Sequence, residues 1–301
     1  MCEECLKHAV ATIFSKEQQR WYFSPHAYDY ERFLESQDKF IEYVDQYEII
    51  NAINPGKYGA EWVRKVVEGG RTAQVVTYEE VVELLRIAKE ANKGEALICL
   101  NMSCICKRTR GGDVSEPICL FLMHPPKAEH AREMFMERIY TTGEAEAWYI
   151  YDPIDSDKMR ELLLDYERRL GLVHIVFTMG FPSVITICNC EMPYCHSMRQ
   201  RFLYNIPEAY LEGYYVASVS NDECTGCGDC QQQCQFGAIR LDRKLGKVTS
   251  MPANCMGCGI CRSVCPTGAI EMVEREKVTL LPKREPYGLH HPVALHKESE
   301  K

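Results

Sequence analysis

Two cysteine-rich stretches decide the C-terminal fold: C-T-G-C-G-D-C-Q-Q-Q-C from Cys224 to Cys234, and C-M-G-C-G-I-C-R-S-V-C-P from Cys255 to Pro266. In each copy three cysteines stand three residues apart, and a fourth follows four residues later. Three thiolates at this spacing, on a loop that keeps turning, can converge on three corners of one iron–sulfur cube. Zinc ribbons use two Cys-x-x-Cys pairs rather than two sets of four cysteines, so the pattern predicts two [4Fe-4S] clusters.

The stretch from about residue 218 to residue 275 resembles the bacterial two-cluster ferredoxins. The likeness includes glycines beside the ligands, which permit the positive φ of a cluster-wrapping loop, and the matching tails F-G-A-I and T-G-A-I after the fourth cysteines. The resemblance implies that each fourth cysteine reaches the neighbouring cluster. The first cysteine set is then Cys224, Cys227, Cys230 and Cys265, and the second set is Cys255, Cys258, Cys261 and Cys234.

The sequence departs from this family pattern at one position. Gln235 stands where the family usually has proline, directly after Cys234. A residue without the proline ring leaves the turn less constrained. We therefore expect a looser turn there and a modest difference in reduction potential between the two clusters.

The chain is much longer than the two cysteine motifs, and it is acidic overall. It has 301 residues, about twice a typical domain, with 46% hydrophobic residues and a formal net charge of −8. This charge argues against nucleic acid as a partner, since nucleic-acid binding needs basic faces. No run of about eighteen apolar residues predicts a membrane span. The first residues, M-C-E-E-C-L-K-H, contain no apolar signal region, so the sequence predicts a cytoplasmic protein, in an anaerobic host because oxygen damages such clusters.

The order of helical and strand patterns predicts three regions. Residues 1–217 form an α+β or α/β leading domain, residues 218–275 form the ferredoxin-like domain, and residues 276–301 form an extended polar tail. Thr77 and Glu80 have the spacing of a capping box before an apolar helix. Further patterns predict helices over residues 156–170 and 192–204, and strands over residues 96–100 and 184–188.

A third metal centre is predicted within the leading domain. Two Cys-x-Cys pairs, each with a later cysteine, lie at the ends of predicted strands: Cys104, Cys106 and Cys119, and Cys188, Cys190 and Cys195. Six cysteines exceed the four that one zinc ion or one cube needs, so not all need be ligands. For both groups to serve one centre, the strand after Gly94 and the strand ending at Cys188 must lie side by side. The centre is then either an iron–sulfur cluster or zinc, and buried thiols without metal are the alternative.

The same region resembles the leading part of ferredoxin-like iron–sulfur proteins of anaerobes. Those proteins have C-x-C-R, a later cysteine after proline, G-L-V-H and then I-C-N-C-C before the two cluster motifs. This chain has Cys104-Ile105-Cys106-Lys107, Pro117 to Cys119, Gly171 to His174 and Ile187 to Cys190. It departs from the pattern with Lys107 for arginine and Glu191 for cysteine. The likeness also implies a third metal centre.

Three functions fit these patterns. The first is an electron-transfer protein that serves redox partner proteins, either a ferredoxin-like carrier or a subunit of an anaerobic oxidoreductase. The second is a redox enzyme whose leading domain binds a substrate or cofactor at the third centre. No dinucleotide loop, phosphate loop or catalytic triad pattern identifies such a substrate. The third is a regulatory protein whose clusters sense redox state.

Overall fold

The computed structural model describes residues 13–15, 20–22, 71–91, 98–102, 104–108, 112–113, 115–123, 155–179 and 186–278. The tail expected over residues 276–301 lies outside these ranges after Val278, and residues 275–277 form a 3-10 turn. Within the described ranges, none of the helices has the length and apolar character needed to cross a membrane.

Strands are present in both halves of the described chain. They are β1 Ile13–Ser15, β2 Arg20–Tyr22, β3 Arg71–Val75, β4 Ile98–Met102, β5 Cys119–Met123, β6 Val173–Met179, β7 Thr186–Cys190, β8 Tyr210–Leu211, β9 Tyr215–Val219, β10 Ile239–Asp242, β11 Lys247–Ser250 and β12 Ile270–Glu274. The α-helices are α1 Tyr78–Ala91, α2 Ile105–Arg108, α3 Ser156–Leu170, α4 His196–Tyr204, α5 Asp229–Gln233 and α6 Ile260–Ser263. This mixture of helices and mainly antiparallel strands is compatible with the α+β class.

A six-stranded sheet organises the leading part, with strand order β4-β5-β7-β6-β3-β8. All neighbouring pairs are antiparallel except β3 and β8. The expected direct pairing of β4 with β7 is wrong, because β5 lies between them. The hairpin-like return of the chain gives β4 an antiparallel partner in β5, and β5 then pairs with β7 through Cys119 opposite Cys188.

The two faces of this sheet are covered by different parts of the chain. Alternation along β6 sends Val173 and Ile175 into a core with Met256 and Ile260 of the C-terminal part. His174 points to the opposite face, where its Nε2 atom lies 3.3 Å from Glu167 Oε2 of α3. Residues on the two faces of β6 therefore contact different parts of the chain.

Local sequence signals explain the ends of the main helices. The Thr77 N–H donates to Glu80 Oε2 over 2.7 Å, and the Glu80 N–H donates to Thr77 Oγ1 over 3.3 Å, which confirms the capping box of α1. Helix α3 has the predicted bounds, with Asp155 as its N-cap and Gly171 in the left-handed conformation at φ 63° as its C-cap.

Helix α4 starts later than the sequence pattern predicts. It begins at His196 rather than near Met192, because the N–H groups of Tyr194 and Cys195 both donate to the Glu191 carbonyl in a preceding turn. Pro193 has no N–H to offer to a helix. The turn places Cys195 at the N-cap of α4.

The C-terminal part consists of two small sheets around the cysteine motifs. Strand β9 pairs with β12, and β10 pairs with β11, both antiparallel. Their buried residues, including Val216, Ile239 and Ile270, form one core with the cysteines Cys224 and Cys255. The second motif also packs on one face of the six-stranded sheet, through Met256 and Ile260.

Candidate metal centres

The first cysteine set surrounds one cavity. The cavity is lined by Cys224, Cys227, Cys230 and Cys265, together with Gly226, Thr267 and apolar side chains of the surrounding strands. Cys265 comes from the second motif, so the structure brings the fourth cysteine of one copy to the triad of the other. The surroundings fit a cubane, because four thiols and mostly apolar walls enclose the cavity.

The second cysteine set also contains one residue from the other motif. The Cys258 thiol interacts electrostatically with Cys261, Cys255 and Cys234. Burial, followed by these like charges, raises the pKa of Cys258 well above its usual value. These four thiols are therefore near enough to influence one another, which is compatible with the grouping that the resemblance implies.

Hydrogen bonds and cations surround both sets. The Ala217 N–H donates to Cys255 Sγ over 3.4 Å, and the Ala238 N–H donates to Cys234 Sγ over 3.3 Å. Lys247 Nζ donates to the Cys224 carbonyl over 2.5 Å. Buried Arg275 donates through Nη2 to the Cys255 carbonyl over 2.7 Å. Such donors and cations stabilise thiolate-bound clusters and tune their reduction potentials.

Residues 217–272 match the family model of the 4Fe-4S dicluster domain. The match supports an iron–sulfur, ferredoxin-like domain in the C-terminal part of the chain and an electron-transfer role for it. It leaves the leading sheet outside its range. No curated protein and no solved structure shows a significant similarity to the chain.

The structure brings all six candidate cysteines of the leading part together, and we refer to them as the six-cysteine cluster. They lie at one end of the sheet, and their thiols form a continuous series of hydrogen-bond contacts. The contacts join Cys106 to Cys104, Cys104 to Cys119, Cys119 to Cys188, Cys188 to Cys190, and Cys190 to Cys195. The intervening strand β5, which the sequence interpretation did not place, supplies the middle of this series.

The thiols in the series affect one another's protonation. Hydrogen bonds from Cys119 and then Cys190 lower the pKa of Cys188 to about 5. Hydrogen bonds from Cys106 and Cys119 lower the pKa of Cys104 well below its usual value. The thiols of Cys119 and Cys190 have raised pKa values because their hydrogen bonds to these neighbours favour the protonated form. From Cys106 to Cys190, thiols with raised and lowered pKa values therefore alternate along the series.

His196 is a further member of this site that the sequence interpretation did not include. Its Nδ1 atom lies 2.8 Å from Cys106 Sγ. The signal was present in the sequence, because His196 directly follows Cys195 and begins α4. Imidazole and thiolate together are a common donor set for transition metals.

A buried polar pair holds the strands that carry the cysteines. The His174 Nδ1 atom lies 2.6 Å from Asn189 Oδ1, opposite it in the β6–β7 register. Asn189 Nδ2 donates to the Ile118 carbonyl over 2.9 Å. Because Asn189 separates Cys188 from Cys190 and Ile118 precedes Cys119, this pair fixes the spacing of three cluster cysteines. His174 and Asn189 therefore position the strands that carry these cysteines.

The two departures from the family pattern contact each other. Lys107 Nζ lies 2.5 Å from Glu191 Oε1, and Lys107 also lies over the Tyr194 ring. Where the family pattern has a cation and a further cysteine, this chain has an ion pair. Lys107 therefore neutralises Glu191, and its backbone N–H still donates to Cys104 Sγ over 3.4 Å.

Within the described ranges, no three or more His, Cys, Asp or Glu side chains are gathered as a ready site for one metal ion. This holds for the six-cysteine cluster and for both ferredoxin sets alike. Both ferredoxin sets nevertheless lie within residues 217–272, which match the model of the 4Fe-4S dicluster domain, and such a cluster contains several irons rather than one ion.

The six-cysteine cluster and the second cysteine set share one buried core. Cys190 and Cys195 pack with Met256 and Ile260, and Cys258 lies against the same core. Buried Tyr210 lies in this core too, and the thiols of Cys195, Cys190 and Cys258 all act on it electrostatically. The leading sheet thus contacts the ferredoxin-like part at its second set.

Proposed function

We propose that this chain is an iron–sulfur electron-transfer protein with two [4Fe-4S] clusters in residues 218–275. The grouping of the eight motif cysteines carries the proposal, since Cys265 joins the first triad around one cavity and Cys234 joins the second triad. When bound, a [4Fe-4S] cluster supplies a one-electron redox couple at nearly constant geometry. The match to a dicluster family model supports the same function.

The two sets differ in their exposure, which indicates how electrons enter. Cys227 of the first set is exposed, whereas Cys258 of the second set packs against the core shared with the leading sheet. Because Cys227 lies at the surface, a partner protein can come close to the first set. We therefore propose that a redox partner docks at the first set and that the second set faces the leading part of the chain.

The leading part, residues 1–217, contributes a third metal centre at the six-cysteine cluster. Its contact with the second set favours a second candidate function, a redox enzyme or oxidoreductase subunit in which the leading part receives the electrons. We place the protein in the cytoplasm of an anaerobe, because reduced thiols and oxygen-sensitive clusters require a reducing compartment.

Anaerobic protein-film voltammetry on the full chain tests the electron-transfer proposal. We expect two one-electron couples toward the negative end of the range of roughly −700 to +450 mV open to such clusters. Cys234→Ser should perturb the couple that Cys258→Ser also perturbs, and Cys265→Ser should perturb the other. Positive potentials for both couples would contradict the carrier function. Loss of the first couple in Cys234→Ser would contradict the crossed assignment.

A further inference from the structure

We propose that the six-cysteine cluster and His196 together bind a polynuclear iron centre that lies directly beside the second [4Fe-4S] site. This inference rests on the proposed function, because it takes the second cysteine set to hold a cluster. The third centre then has an imidazole ligand, contains more than one iron and has the second [4Fe-4S] site as its neighbour.

The number of donors argues for more than one metal ion. Six thiols and one imidazole give seven donor groups, whereas a single tetrahedral ion takes four. Four of the thiols, those of Cys104, Cys119, Cys188 and Cys190, each contact two other thiols. Thiolates in such a continuous series can each bridge two neighbouring metal ions, as thiolate ligands do in polynuclear centres.

The arrangement differs from that of ordinary buried cysteines. A cysteine that only fills a core behaves as a small apolar side chain among other apolar groups. Here Cys104, Cys190 and Cys195 are each less than a tenth exposed. Each of them contacts the thiol of at least one other cysteine. The other three cysteines are partly buried, and thiolates gathered in such a place are costly unless a metal neutralises them.

The electrostatics of the site also favour a cationic centre. Lys107 cannot balance the thiolates alone, since its ammonium group is paired with Glu191. Metal ions would supply the remaining positive charge.

Tyr210 provides an independent observation at the boundary between the two sites. Its side chain is fully buried, and within the described part of the chain its hydroxyl oxygen has no hydrogen-bond partner. Its neighbours in the core belong to both sites, because Cys190 and Cys195 are members of this core and Cys258 packs against it. A buried hydroxyl between two sulfur-rich sites is suited to donate to a thiolate or sulfide of a bound centre.

The neighbouring ferredoxin-like part indicates iron rather than zinc. Thiolates select iron–sulfur centres, zinc or Cu(I), and zinc has no redox chemistry. A centre that shares a core with the second set, through Cys190, Cys195 and Met256, is placed to interact with a one-electron carrier. Iron, unlike zinc, could exchange electrons with the second set across this contact.

The test is metal and sulfide analysis of the full-length protein prepared without oxygen, together with Mössbauer and EPR spectra. We expect at least about two irons beyond the roughly eight of two [4Fe-4S] clusters. The double variant Cys106→Ser/Cys190→Ser should lose the excess and keep the eight, and His196→Gln should reduce the excess. In reduced wild type the EPR signal of the second cluster should be broadened by its neighbour, and the double variant should show a narrower signal.

The control variants make failure interpretable. Cys227→Ser removes a ligand of the first set, so it should reduce the eight irons and leave the excess unchanged. Retention of the eight irons in the double variant shows that the chain still folds. Three results would overturn this inference and leave the proposed function intact. They are a wild type with iron for the two ferredoxin clusters only, excess metal that is zinc, and excess iron that persists in the double variant. Absence of the ferredoxin irons would instead count against the proposed function.

Discussion

The side chain of Gln235 accepts a hydrogen bond from the Met192 backbone N–H over 2.8 Å. The same amide donates through Nε2 to the Gly171 carbonyl over 2.7 Å. Gln235 follows Cys234 of the second set, and Met192 lies between Cys190 and Cys195 of the six-cysteine cluster. The glutamine that replaces the usual proline therefore joins the ferredoxin-like part to the leading part.

We predict that Gln235→Ala destabilises the protein without removing its ferredoxin irons. The variant leaves the Met192 N–H and the Gly171 carbonyl without this partner in a partly buried place, which costs about 1–3 kcal/mol. Anaerobic thermal unfolding and iron counting measure the two effects. Gln232→Ala, at an exposed position of α5, is the control and should unfold at the wild-type temperature. Equal unfolding temperatures for both variants would contradict this role of Gln235.

Arg275 joins the second cysteine set to the rest of the core. It donates to the carbonyls of Gly213 and Cys255, and its Nη1 atom lies 3.6 Å from buried Glu212 Oε2. Arg275→Met should destabilise the fold by about 3–5 kcal/mol, because it leaves a buried carboxylate with less compensating charge. It should also shift the potential of the second cluster to more negative values, because removal of a nearby cation disfavours the reduced, more negative state.

Chemical denaturation and voltammetry of Arg275→Met measure these two effects. Lys277→Met is the matched control, since the Lys277 side chain is 66% exposed and pairs with Glu274 at the surface. An exposed pair contributes about 0–1 kcal/mol, so this control should change stability and potential little. A shift of the first couple rather than the second in Arg275→Met would show that the contact with Cys255 has been assigned wrongly.

Gly257 allows the second motif to approach β9 closely. Its φ is +84°, and a Cβ at this position would lie 2.5 Å from the Tyr215 carbonyl oxygen. Gly268 also has a positive φ, +70°, but a Cβ there would meet no atom within 4 Å. Gly268→Ala should therefore cost only about 1–2 kcal/mol of backbone strain. Gly257→Ala should cost clearly more and should lower the iron content. Similar losses of stability and iron in both variants would contradict the importance of this close approach.

Glu80 makes stability depend on pH. Burial raises the pKa of Glu80 from the usual 4.5 of a glutamate to about 8, although hydrogen bonds with Thr77 act in the opposite direction. The folded state then keeps a proton that the unfolded state has already released. Its contribution to stability is complete below about pH 4.5 and is lost as the pH rises to about 8.

We predict that Glu80→Gln flattens this pH dependence. Glutamine can still accept from the Thr77 N–H in a capping box, so the variant should match wild type near pH 5 and unfold at a higher temperature near pH 9. Glu83→Gln, an exposed change in the same helix, should retain the wild-type pH dependence. Thermal unfolding across this pH range decides the matter, and parallel curves for wild type and Glu80→Gln would contradict the prediction.

Local sequence signals predicted those features that depend on neighbouring residues. The capping box at Thr77 and Glu80 and the bounds of α3 both follow from residues within one helical turn of each end. The C-terminal iron–sulfur domain could be predicted because its cysteines and glycines lie within one short stretch, which the family model also covers.

Features that depend on distant contacts could not be predicted in this way. The position of β5 between β4 and β7 is a choice among several antiparallel pairings that periodicity does not distinguish. The pairing of Lys107 with Glu191 and the bridge made by Gln235 join residues far apart in sequence. The sequence pattern grouped the six cysteines, but their order of contact depends on the pairing of strands in the sheet.

Iron and acid-labile sulfide counting on full-length protein, combined with Mössbauer spectroscopy, tests the central claim most directly. An electron-transfer protein with two [4Fe-4S] clusters must contain about eight irons and eight sulfides in valence-delocalised cubanes, apart from any iron at the six-cysteine cluster. Cys224→Ser and Cys255→Ser should each affect one set of about four irons. A protein prepared without oxygen that contains zinc in place of these irons, or only one cubane, would contradict the account.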